Sequence, residues 1–139
     1  MIVGIGTDII QIQRIEKILS LHPTLFLNKY FSPYELQRYE NQRENKKIYA
    51  SKIAKLFAGK EAFVKALGTG FRFGINLHDI EILSNELGKP YINITGKTQK
   101  YIEKTFQNYK NLRYYISLSD DYPTGTAFVI IEDERDTNE

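Results

Sequence analysis

"MIVGIGTDII", Met1–Ile10, opens the chain and decides how the rest of it is read. Strand alternation puts Val3, Ile5, Thr7 and Ile9 on one face and Gly4, Gly6 and Asp8 on the other. The two glycines clear space on the face that carries Asp8, where another backbone or a ligand can approach. On the strand pattern alone, a helix packed closely on a glycine-lined strand is the better of those two readings. An ionised carboxylate in an apolar setting is costly unless a cation or hydrogen-bond donors meet it. A partner for Asp8 is therefore expected.

Working outward, "IQRIEKILSL" places Ile12, Ile15, Ile18 and Leu19 at helical spacing, with Arg14 and Lys17 on its other side and His22-Pro23 closing it. "SPYE", Ser32–Glu35, is a helix start with the residues of a capping box. A longer helix is expected over about Tyr49 to Leu67, ended by "GTG". "DIEIL" and "YINI" alternate around the turn "NELGKP", giving a hairpin. "TQKYIEKTFQNY" reads as an amphipathic helix with Tyr101, Ile102, Thr105 and Phe106 inward, and "RYYISLS" and "TAFVIIE" flank "DDYPTG" as a closing hairpin. Strand, helices, two strands, helix, two strands is an α+β layout with a largely antiparallel sheet.

The chain of 139 residues is expected to form one domain over 1–139, with an acidic tail fraying from 133 to 139. With 42% hydrophobic residues it is ordinarily globular. No apolar run is long enough for a membrane span and no signal-peptide layout is present, so no membrane association and cytoplasmic residence are expected. The absence of cysteine excludes disulfides, thiol nucleophiles and thiolate metal sites. Net charge is only +2, yet bases outnumber acids between Lys29 and Lys65, which suits a phosphate-bearing ligand or an acidic protein.

Several motifs fail on inspection. "GIGTDI" has Ile9 where a dinucleotide fingerprint needs its third glycine, and "AGKEA" lacks the first glycine and the Ser/Thr of a phosphate loop. His22 and His78 lack a third ligand at zinc spacing and read as surface or loop residues. The segment "LFAGKEAFVKALGTG" survives. Ile53, Leu56, Phe57, Val64 and Leu67 form an apolar stripe; Lys60 falls inside it, Glu61 at its margin, and Lys65 one turn beyond Glu61 on the same side. A stripe lysine ordinarily snorkels to water, and a Glu61–Lys65 pair is ordinary surface chemistry. Asp8 and Glu61 together would offer two hard oxygen ligands, a set that suits Mg²⁺ bridged to substrate phosphates.

"GIGTDI…RI", "FAGKEAFVKALGTG", "DIEI", "GKPYI" and the late "ISLS" resemble, in order and over almost the whole chain, the holo-(acyl-carrier-protein) synthases, the small 4′-phosphopantetheinyl transferases of fatty-acid synthesis. The resemblance implies transfer of the phosphopantetheine arm of coenzyme A to a serine of apo acyl carrier protein, with release of adenosine 3′,5′-bisphosphate. It implies Asp8 and Glu61 as magnesium ligands, Lys65 on the pyrophosphate, and Lys60, Gly68, Thr69 and Gly70 close to the same ligand. It also implies Arg14 as the docking point for the acidic carrier, and a homotrimer with sites between subunits. Two positions depart from the family pattern: Asp120 stands where a histidine is usual, and Leu56 where an arginine is usual. Lys55, or Arg43 with Lys46 and Lys47, is the expected substitute grip on the 3′-phosphate. The competing class is a noncatalytic nucleotide- or RNA-binding module built on the basic stretch and Tyr30, Tyr34, Tyr39 and Tyr49.

Overall fold

The computed structural model describes residues 1–135. Strand β1 (Ile2–Gln11) leads directly into helix α1 (Ile12–Leu21), followed by α2 (Pro23–Tyr30), α3 (Pro33–Gln37) and the long α4 (Lys46–Leu67). Strands β2 (Ile80–Ser84) and β3 (Pro90–Ile94), helix α5 (Gly96–Thr105), and strands β4 (Leu112–Asp121) and β5 (Thr124–Asp133) complete the chain. The α+β class and both hairpins are as expected. All pairings are antiparallel, but they form two sheets, β1-β5-β4 and β2-β3.

Local chemistry explains most element boundaries. Ser32 caps α3 in a full capping box with Glu35, and the Asn45 side chain accepts from Ile48 N at 3.1 Å to start α4 three residues before the expected Tyr49. Gly68, in the left-handed region at φ 77°, closes α4 with its N–H on the carbonyls of Val64 and Lys65. Helix α2 is not visible in the hydrophobic pattern. Pro23, which the sequence suggests as a stop for α1, is also the first residue of a new helix. In α5 Thr98 and Ile102 are buried and Tyr101 packs partly buried against the core, as does Phe106 just beyond the helix, whereas Thr105 is exposed.

Helix α4 crosses the inner face of the three-stranded sheet, and its contact with β1 is made by small residues. A Cβ added at Gly6 would stand 1.9 Å from the Ala62 carbonyl oxygen, and one at Gly4 would stand 2.0 Å from that of Ala66. The glycine face of β1 is thus a seat for α4, the helix-packing reading of Met1–Ile10. The opposite face is open: Val3, Ile5, Ile9 and Phe128 are exposed although apolar.

The expected frayed tail does not begin at Asp133. That residue ends β5, is buried, and accepts from Arg135 Nε at 2.6 Å; Glu134 pairs with Arg113 at 3.1 Å. Residues 136–139 of that expectation lie outside the described residues.

Candidate active site

Asp8 lies near the end of β1 on the glycine face and so points towards α4. Its partner is the ammonium of Lys65, 3.0 Å from Oδ1, which also donates to the Thr7 carbonyl oxygen at 2.9 Å. Glu61 stands one turn before Lys65 and is half-buried. Burial first, and then the negative charge of Asp8, push its carboxyl above the ordinary glutamate range; Lys65 and Arg14 pull it back. Asp8, Glu61, Lys65 and Arg14 therefore share one electrostatic neighbourhood, assembled from β1, α4 and α1.

Two mutually repelling carboxylates could together hold a hard cation. Among the described residues no cluster of three or more histidine, aspartate or glutamate side chains gathers to hold a metal. The chain offers two oxygens and leaves the remaining positions to water and ligand. That incomplete shell fits Mg²⁺, which keeps waters and binds through one or two carboxylates plus phosphates. It does not fit a zinc site, for His22 and His78 are exposed elsewhere and cysteine is absent.

Lys60 is placed differently from the sequence expectation. It neither snorkels nor faces the ligand region: its side chain is 0% exposed, and its ammonium bonds Glu35 Oε1 at 2.7 Å and the carbonyl oxygens of Leu77 and Ile80. Glu35 Oε1 also accepts from Ser32 N, and Oε2 from Ile82 N, each at 3.0 Å. Burial pushes Glu35 up and Lys60 down, and each partner's charge opposes the shift. With three donors on its two oxygens, Glu35 has the surroundings of an ionised carboxylate. The sequence shows Glu35 only as a cap, because its contact with Lys60 spans 25 positions that no periodicity connects.

Gly68 and Gly70 serve backbone conformation, at φ 77° and 62°, with open space where side chains would stand; Thr69 between them is buried. Lys46 and Lys47 part company. Lys46 lines a small, mostly apolar cleft with Glu16, Arg43 and Tyr49, away from Lys47. Lys47 lies 3.9 Å from the Tyr122 ring centroid and borders a cavity of about 300 Å³ with Lys52, Lys55 and Asp120. Lys55 Nζ is 2.9 Å from Asp120 Oδ1, so the residue replacing the usual histidine holds a lysine beside the position of the missing arginine. Leu56 itself is in the core, 2% exposed. Lys52 and Lys55 also border a second cavity of about 420 Å³, where Arg38 and Ser84 face them. Of the four tyrosines that suggested a nucleic-acid platform, Tyr49 is buried, Tyr30 and Tyr39 are half-buried, and Tyr34 alone is exposed.

Residues 4–127 match the 4′-phosphopantetheinyl transferase superfamily. A holo-(acyl-carrier-protein) synthase of Bartonella bacilliformis is 44% identical over 134 residues, covering 95% of this chain and 96% of that protein. The crystal structure of the Neisseria meningitidis holo-(acyl-carrier-protein) synthase is 36% identical, with a TM-score of 0.78 over 95% of this chain and 99% of that one. The Helicobacter pylori enzyme in complex with coenzyme A is 29% identical, with a TM-score of 0.74 over 92% of this chain and 99% of that one.

Proposed function

The chain belongs to the 4′-phosphopantetheinyl transferase superfamily, and from that premise we propose that it is a holo-(acyl-carrier-protein) synthase of fatty-acid biosynthesis. It transfers 4′-phosphopantetheine from coenzyme A to a serine of apo acyl carrier protein. The serine oxygen attacks the phosphorus that bears the pantetheine arm, the bond to the bridging diphosphate oxygen breaks, and adenosine 3′,5′-bisphosphate leaves. The observation that carries this reading is the convergence of Asp8, Glu61 and Lys65 from two elements at one end of α4.

Asp8 and Glu61 would hold Mg²⁺, which when bound neutralises the diphosphate and steadies the charge on the leaving group. Lys65 brings a positive charge to the same place and has donors beyond those used on Asp8 and Thr7. The serine hydroxyl loses its proton as it attacks, and the acids of this cluster are the bases at hand. Arg14, exposed on α1 within electrostatic reach of Glu61, docks the acidic carrier so that its serine enters beside the metal ligands.

The coenzyme's nucleotide is assigned to the two basic cavities along the outer side of α4. Lys47 is steadied by Tyr122 and Lys55 by Asp120. Fourteen residues separate Lys47 from Glu61, about 21 Å of helical rise, and six separate Lys55 from it, about 9 Å, so the basic cavities extend along α4 away from the carboxylates. Sites shared between neighbouring copies resolve this separation. The open apolar face of β1 and β5 is a surface suited to burial between subunits, in a homotrimer. No helix among the described residues is long and apolar enough to cross a membrane, and the same reading puts the enzyme in the cytoplasm with its two substrates.

Incubation with apo carrier protein, coenzyme A and Mg²⁺ should add a phosphopantetheine mass to the carrier, and EDTA should abolish the gain. No gain with any apo carrier, alongside tight RNA binding, would defeat the assignment in favour of the binding module.

A further inference from the structure

We infer that Glu35 and Lys60 are positioning residues for Glu61: their buried pair fixes the turn of α4 that presents the metal-binding carboxylate. This inference rests on the metal role assigned to Glu61 above. The Glu61 side chain makes no hydrogen bond or ion pair among the described residues, so nothing grips the carboxylate directly and its place is set by its helical backbone.

That backbone is pinned on both sides. Lys60, Glu61 and Ala62 follow one another at about 100° per residue, so Lys60 and Ala62 point in nearly opposite directions with Glu61 between them. On one side the Lys60 ammonium ties α4 to the start of α3 through Glu35 and to the Leu77–Ile80 segment through two carbonyls. Glu35 in turn is tied to β2 through Ile82 N. On the other side, Ala62 is pressed on Gly6 of the strand that carries Asp8. The helix can neither roll nor slide without breaking a buried charged contact or striking a backbone. Glu61 is thereby delivered next to Asp8 with no bond of its own to break when a cation arrives. A group that orients a metal ligand ordinarily holds that ligand's side chain; here the neighbouring residue holds its backbone.

Glu35→Gln tests this, since the amide keeps the shape, removes the charge that holds Lys60 and leaves one acceptor oxygen where the carboxylate had two. Mn²⁺ binding is followed by electron paramagnetic resonance in the presence of coenzyme A, and Tm is measured on the same samples. The expected result is a folded protein whose Mn²⁺ dissociation constant is raised about ten- to a hundredfold, the range typical of lost ligand support, with coenzyme A binding in metal-free buffer unchanged. A lowered Tm with the wild-type Mn²⁺ constant would make the pair purely structural and overturn the inference. Glu35→Asp, which keeps the charge on a shorter arm, gives the same readout if the glutamine variant does not fold. Glu61→Gln serves as the reference: if it binds Mn²⁺ as tightly as the wild type, the metal assignment itself fails, whatever Glu35 does.

Discussion

The Lys65 ammonium stands 3.0 Å from an Asp8 carboxylate oxygen and ties the last turn of α4 to the strand beneath it. With the Lys65 side chain 55% exposed, the bond adds little stability, on the order of 1 kcal/mol or less. Its significance is local. The ammonium answers the charge of Asp8, and the proposed mechanism keeps it beside the carboxylates when a diphosphate binds.

Asp8→Asn and Glu61→Gln should each lower turnover by orders of magnitude while circular dichroism and Tm stay near the wild type. Both side chains are partly exposed and neither supports the core. Near-normal turnover in both variants would remove the metal site from the mechanism.

Lys65→Met should reduce kcat at least about a hundredfold, the scale for losing one preorganised charge at a developing anion. Little change is expected in the KM for carrier protein, for which the proposed docking point is Arg14. Steady-state assays with varied carrier concentration separate the two constants, and a change confined to KM would move Lys65 out of the reacting centre.

Burial pushes the Tyr114 phenol up to about 12, where it packs edge-on against Phe63 with ring centroids 5.1 Å apart. The unfolded chain releases this proton near the ordinary value of 10.0, before the folded protein does. The stability that follows is complete below pH 10 and is lost as pH rises towards 12. Tyr114→Phe should therefore flatten the fall of Tm between about pH 10 and pH 12. Parallel Tm–pH curves for the two proteins would contradict the assigned burial effect.

A charge on the open sheet face should dissociate the proposed homotrimer. Ile5, 55% exposed, pairs in register with Ile130. Ile5→Lys is expected to yield a folded monomer by light scattering, with coenzyme A turnover lost because the two halves of each site separate. A trimer that persists, or a fully active monomer, would reject shared sites.

The elements visible in the sequence were those with a clean period. The alternation in β1, the hairpins around "NELGKP" and "DDYPTG" and the apolar stripe of α4 all carry their signal within a few residues. Helix α2 lacked one, since its short run buries only Phe26 and Leu27. Asp8, Glu61 and Lys65 stand out by residue type and position as well as by family resemblance, while their proximity is a property of the fold. The place of Lys60 is not legible for a physical reason: its position in the stripe shows in the sequence, but the glutamate that neutralises it arrives from a distant helix. Leu56 and Asp120 read as two separate departures, while the structure joins Asp120 to the lysine beside Leu56.

The seating of Ala62 and Ala66 on Gly6 and Gly4 bears on how a mutational screen of this protein must be scored. A growth assay would rank those two glycines beside Asp8 as indispensable, since any side chain there drives into a main-chain oxygen. Neither glycine needs to meet a substrate to earn that rank. Only a parallel readout of cellular protein abundance would separate residues that build the enzyme from residues that run it.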